Sequence, residues 1–241
     1  MERGRGMTVV MRFILLIAIL AFAAPVQAAD RRYPVADFDR VVVEGPYTVR
    51  IAVGRSSSAV ASGSPQAIDA VSVEVQGMTL RVRRNPNAWG ASPGRAPGPA
   101  VIILSTRNLR AARVVGSGNV VLSGARGLRV DLSVDGSGSL SATDVQGDVL
   151  SIGVRGAGSI TLQGRAGTVT ATIQGTGSLA ATAFAAENAT VAASTSGNVA
   201  MTVRRSANVT ANGLGSVVIA GNPACTVSGP GAGEVRCGRP R

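Results

Sequence analysis

The chain has 241 residues, 45% hydrophobic but only 3% aromatic, with 31 glycines. That composition suits one elongated domain with an aliphatic core. Its net charge is +11, every basic residue is arginine, and it contains neither histidine nor lysine. An imidazole base, a Ser/His triad, histidine metal ligands and a Schiff-base lysine are therefore excluded, and no cofactor or metal is expected.

At the N-terminus, Arg12 precedes an apolar run from Phe13 to Ala24, and Val26-Gln27-Ala28 supplies small residues at the −3 and −1 positions of a cleavage site. Residues 1–28 read as a signal peptide, too short to span a bilayer comfortably, so no transmembrane anchor is expected after cleavage. The product is exported to the periplasm, the cell surface or the medium.

The next stretch, Val41-Val-Val43-Glu-Gly45-Pro-Tyr47-Thr-Val49-Arg-Ile51, alternates as a β-strand does and turns at Gly45. It reads as a first coil in which Tyr47 stands where later copies have a second glycine. A polar loop is expected at Arg55–Pro65, then a β pair, Ala70–Val75 and Thr79–Arg83, joined across Gln76-Gly77. Residues 85–99, rich in Pro, Gly, Ala and Ser around Trp89, read as a loop ejected from the fold. Strands resume at Ala100–Leu104.

From Val114 to Gly233 one phrase keeps returning, as in Val-Val-Gly-Ser-Gly-Asn-Val at 114–120, Val-Asp-Gly-Ser-Gly-Ser-Leu at 134–140 and Val-Arg-Gly-Ala-Gly-Ser-Ile at 154–160, with looser copies up to Ala-Asn-Gly-Leu-Gly-Ser-Val at 211–217. The period is about twenty residues, the size of a unit that cannot bury its own apolar face and must stack. Laid over one another, the copies give three apolar columns. One is Val114, Val134, Val154, Ile173, Ala193, Ala211 and Val227; the second is Val120, Leu140, Ile160, Leu179, Val199 and Val217; the third is Leu122, Ala142, Leu162, Ala181, Met201 and Ile219. The fold class is all-β, a parallel β-helix (solenoid) with ~20-residue coils, the right-handed coil being favoured.

The paired glycines mark corners: Gly116/Gly118, Gly136/Gly138, Gly156/Gly158, Gly175/Gly177, Gly197 and Gly213/Gly215. Positive φ and close stacking of successive corners both call for residues without a β-carbon. A phosphate-binding loop would need a following helix, and a strand follows each pair instead. The polar residues after the corners, Asn119, Ser139, Ser159, Ser178, Asn198 and Ser216, stack into a ladder. Cys225 and Cys237, with eleven residues between them, pair as a disulfide in an oxidising compartment and clip the last coil.

With the opening Phe38-Asp-Arg-Val-Val-Val-Glu-Gly-Pro-Tyr-Thr-Val-Arg-Ile51 and the Gly-Ser-Gly-Asn and Gly-Ser-Gly-Ser repeats, the chain resembles the putative auto-transporter adhesin head GIN domain family of exported bacterial proteins. The resemblance spans residues 38–222, leaving 223–241 as a C-terminal cap and basic tail. It implies a β-helical fold and no catalytic residue. The aromatic-girdled strands of a membrane barrel are missing before Arg241, so self-secretion is not expected.

Two groupings carry candidate chemistry. Asp131, Asp135, Asp144 and Asp148 could form a Ca²⁺ site or an acid/base pair, but the equivalents in the next coil, such as Ser151 and Arg155, are not acidic, so a solvated face with an Arg155–Asp135 pair is expected. Arg126, Arg165 and Arg205 follow alternate corners at similar offsets and would form an interrupted basic stripe able to contact acidic polysaccharide or lipopolysaccharide. Beyond residue 100 the only aromatic side chain is Phe184, which argues against specific nucleic-acid binding. The expected function is a non-enzymatic structural or adhesion-type binding module of the envelope. The alternative is a carbohydrate-active β-helix that resembles a polysaccharide lyase.

Overall fold

The computed structural model describes residues 29–88 and 100–238. The signal-peptide reading of residues 1–28 lies outside the described residues, as do Trp89 and most of the 85–99 loop. In chain order the first elements are β1 (Ala29–Tyr33), β2 (Arg40–Glu44), β3 (Thr48–Val53), β4 (Ser58–Gly63), the short helix α1 (Pro65–Asp69), β5 (Val71–Gln76), β6 (Thr79–Arg84) and β7 (Val101–Thr106). The repeats follow as β8 (Ala111–Gly116), β9 (Asn119–Ser123), β10 (Arg126–Gly136), β11 (Ser139–Gly156), β12 (Ser159–Gly175), β13 (Ser178–Thr195) and β14 (Val199–Ala211). The chain closes with β15 (Val217–Gly221), β16 (Ala224–Ser228), a 3-10 turn at Ala232–Glu234 and β17 (Val235–Cys237).

The architecture is a parallel β-solenoid of about six turns. Strands β10 to β14 pair in parallel, each with its counterpart one coil on: Val134 lies beside Val154, Val154 beside Ile173 and Ile173 beside Ala193. The long strands β11, β12 and β13 each span two faces of the coil and bend between them, where the pairing register shifts. Except for Val227, the aliphatic columns are buried, and they pack in one core with Val130, Leu150, Val169, Ala189 and Ala207. Alternation puts every second side chain inside, so one register satisfies all the coils at once.

The corner glycines answer two separate demands. Gly116, Gly136, Gly156 and Gly175 have φ of 96°, 124°, 99° and 102°. The second glycine of each pair does not, but a β-carbon on Gly158 would lie 2.8 Å from the Gly138 carbonyl oxygen, and one on Gly118 equally close to that of Gly45. Gly197, Gly213 and Gly215 press on the backbone of the preceding corner in the same way. Thr195 takes the first-glycine place in its coil. It is buried, and its Oγ1 donates to the Gly177 carbonyl at 2.8 Å and accepts from the Gly197 amide at 2.9 Å. Of the ladder expected after the corners one rung forms among the described residues, Ser139 Oγ donating to Asn119 Oδ1 at 3.0 Å.

The N-terminal third departs from sequence order. The β2–β3 coil is sandwiched between two others, because β2 pairs in parallel with both β6 and β8, and β3 with both β7 and β9. Tyr47 holds the second-glycine position, its carbonyl accepting from the Asn119 amide at 2.9 Å. An antiparallel cap covers the outermost coil: β4 pairs with β7, β1 with β4, and β5 with β6. The loop expected at Arg55–Pro65 is instead mostly β4, followed by α1. Alternation there is carried by Ala59 and Ala61, both buried, which are too small to stand out in the sequence. The helix starts where Ser64 Oγ accepts from the Ala67 amide at 3.2 Å, with Pro65 in the first turn.

At the other end Cys225 and Cys237 form a disulfide, with Cα atoms 6.5 Å apart. Cys225 is in register with buried Ala207 and Cys237 with buried Ile219, so the bridge ties β16 to β17 at the end of the core. Val227 pairs with Val209, one column away from the alignment expected of it, and is 37% exposed. No further coil lies over it among the described residues.

A polar groove along one corner of the solenoid

Opposite the glycine corners the chain bends a second time, and there an open groove of about 480 Å³ runs across successive coils. Its floor is backbone, from Gly127, Gly147, Ala166 and Gly167, and its rim carries Arg126, Gln146, Asp148, Arg165, Glu187 and Arg204. Stacking is tight at Gly147, where a β-carbon would lie 3.0 Å from the Gly127 carbonyl oxygen, whereas the equivalent places in the next two coils hold Ala166 and Ala186.

Register sets the order of the rim. Arg126 lies beside Gln146, Gln146 beside Arg165, and Arg165 beside Ala185. In the next coil the pairing shifts between Ala186 and Asn188, so that two residues of β14, Arg204 and Arg205, stand opposite the single Glu187. Arg204 Nη1 reaches Glu187 Oε1 and Arg205 Nε reaches Oε2, each at 3.2 Å. Arg204 lines the groove and Arg205 lies beside it. The spacing in the sequence gives no cue, because the equal 39-residue steps from Arg126 to Arg165 and from Arg165 to Arg204 hide a register in which Thr202, not Arg204, is in line with Arg165.

Arg126 Nη2 donates to Asp144 Oδ2 at 2.6 Å, and Gln146 Nε2 donates to Asp144 Oδ1 at 2.9 Å. Hydrogen bonds from Arg126 and then Gln146, with the charges of Arg126 and Arg165, hold the Asp144 carboxyl below the usual carboxylate range. Asp144 has φ of 53°, a conformation that Asp and Asn tolerate better than other side chains. Arg165 has a different environment: Nη2 donates to Gln146 Oε1 at 3.4 Å, and no carboxylate among the described residues lies within ion-pair distance of it.

The four aspartates considered together in the sequence do not converge. Asp135 lies between Arg113, at 2.8 Å, and Arg155, at 3.4 Å, a surface arrangement worth at most about 1 kcal/mol per pair. Asp144 belongs to the groove's Arg126, and among the described residues no group of three acidic or thiol ligands could hold a metal ion. Phe184 is buried in the core and offers no stacking surface.

A stack of short glycine-cornered coils over an aliphatic core, with a polar groove and a disulfide clasp, defines a β-solenoid repeat protein. Residues 37–223 match the family described as putative auto-transporter adhesin, head GIN domain, and the chain belongs to that family. Among solved structures, a putative adhesin from Bacteroides fragilis is similar at TM-score 0.74 and 16% identity, over 88% of this chain and 95% of that one. A putative adhesin from Parabacteroides merdae is similar at TM-score 0.64 and 15% identity, over 90% and 98%. A protein from Parabacteroides distasonis described as a putative lipid binding protein is similar at TM-score 0.65 and 18% identity, over 89% and 97%. At these identities the likeness concerns the fold alone. No curated protein matches the chain.

Proposed function

We propose that the protein is an exported, non-enzymatic adhesion-type module that holds an anionic surface polymer, such as acidic polysaccharide or lipopolysaccharide, through its corner groove. The observation that carries this reading is the set of three arginines, Arg126, Arg165 and Arg204, along a single open groove floored by backbone. A guanidinium presents paired donors that match carboxylate, sulfate and phosphate oxygens. An open groove suits a long chain passing through, where several modest contacts add up.

The mature protein is expected to be retained on immobilised heparin and to elute earlier as salt rises. Each of Arg126→Ala, Arg165→Ala and Arg204→Ala should weaken binding roughly 2–5-fold, the range of an exposed ion pair. Stability should stay within about 0.5 kcal/mol, because none of the three side chains is in the core. Arg205→Ala should have the smallest effect of the four. Unchanged retention of the triple variant would eliminate the groove as the binding site.

Asp144 restrains Arg126, so Asp144→Asn should strengthen heparin binding a few-fold while keeping the same backbone. The pH dependence follows from the lowered carboxyl. The Arg126–Asp144 pair is present above the ordinary aspartate range and is lost only as pH falls through the depressed folded value. Heparin affinity should therefore be flat from neutral pH to about pH 5 and rise only at stronger acidity. A rise already complete at pH 5 would mean that another group controls Arg126.

A second reading has one observation in its favour: Asp148 and Glu187 share the groove with the arginines, as an eliminase acting on acidic sugars would require. Glu187 is engaged by Arg204 and Arg205, and neither tyrosine, Tyr33 or Tyr47, lines the groove, so the binding reading is preferred. Release of unsaturated oligosaccharides from an acidic polysaccharide by wild-type protein, lost in Asp148→Asn, would reverse that preference.

A further inference from the structure

We infer that the groove is built for a linear acidic polysaccharide bearing one acidic group on every second sugar. This rests on the anionic-ligand reading above and narrows it. The arginines occupy alternate coils: Gln146 lies between Arg126 and Arg165 in the register, and Arg204 lies two coils beyond Arg165, opposite Glu187 of the coil between. Coils stack at ~4.8 Å, so like charges recur at ~10 Å, close to the length of a disaccharide in an extended glycan chain.

The coils between the arginines are not neutral. Asp148 follows Gly147 on β11, in the coil of Gln146, and Glu187 follows Ala186 on β13, in the coil of Ala185. Along the groove the rim therefore alternates between cationic and anionic coils. A polymer ionised on every sugar that places one carboxylate on Arg126 or Arg165 brings the next towards Asp148 or Glu187. A polymer whose acidic sugars alternate with uncharged ones meets arginine at each acid and a hydrogen-bonding carboxylate at each neutral sugar. Repulsion of the wrong partner gives selectivity that attraction alone does not. Ala185 adds room beside Arg165, where the next coil carries no long side chain in line with it.

The test compares two oligosaccharides of equal length, a hyaluronan octasaccharide with a carboxylate on every second sugar and an octagalacturonate with one on each. The wild-type protein is expected to bind hyaluronan ~10-fold more tightly, although it carries half the charge. The charge-conserving double variant Gln146→Arg/Arg165→Gln places two arginines on adjacent coils. It should lose the preference for hyaluronan, the two oligosaccharides then binding within about 2-fold of each other. If galacturonate binds as well as hyaluronan, or if the double variant keeps the preference, the alternation is irrelevant and only the broader anionic reading survives. If neither oligosaccharide nor heparin binds, the broader reading fails as well.

Discussion

Gly136→Val is expected to be among the most damaging single substitutions outside the aliphatic core, lowering stability by about 4 kcal/mol or more. Two costs combine at this position. Its φ of +124° is strained for any L side chain, which amounts to roughly 1–3 kcal/mol. A β-carbon would also lie 2.5 Å from the Gly116 carbonyl oxygen in the coil beneath, and overpacking against backbone that cannot yield costs a further 1–3 kcal/mol or more. Gly233 provides the control, because a β-carbon there meets nothing within 4 Å, and Gly233→Ala should change stability by less than about 0.5 kcal/mol. Urea unfolding followed by circular dichroism measures both. Equal midpoints for the two variants would show that the corners are not in contact.

Removing the clasp should have the next largest effect. Reduction of Cys225–Cys237, or Cys225→Ser with Cys237→Ser, should cost about 3 kcal/mol by the loop-closure estimate for a short ring. In a stack each coil is supported only by its neighbours, so the loss should begin locally. Cys225 and Cys237 continue columns that end in Ala207 and Ile219, and their bridge covers the last apolar layer. Hydrogen exchange should therefore speed up first in β15 to β17, while amides of β11 and β12 stay protected. Uniform acceleration along the whole stack would mean that the solenoid unfolds as one unit and that the clasp stabilises it globally.

The repeating half of the molecule was legible in its residues for a reason particular to solenoids. Each coil meets the same environment above and below, so Val134, Val154 and Ile173, and likewise Leu140, Ile160 and Leu179, had to be chosen alike. Gly138 and Gly158 lacked alternatives at their corners. The groove was half legible. Arg126 and Arg165 could be placed from their offsets, but the third arginine could not, because the register shift between β13 and β14 sets Arg204 and Arg205 against one Glu187. A bulge of this kind leaves no mark in composition. β4 leaves little trace in the sequence because its buried residues, Ala59 and Ala61, sit in a cap paired with the distant β1 and β7, where small side chains suffice.

Local alternation and β-carbon-free bends, repeated at constant length, are enough to dictate strands, inward faces and the stacking of coils from Val114 onward, since every contact there is with a near copy of itself. The insertion of the β2–β3 coil between β6–β7 and β8–β9, the antiparallel cap and the alternating charges of the groove were decided by the folded stack. They depend on pairings between segments that do not resemble one another, and backbone hydrogen bonds carry no record of which partner a strand will take.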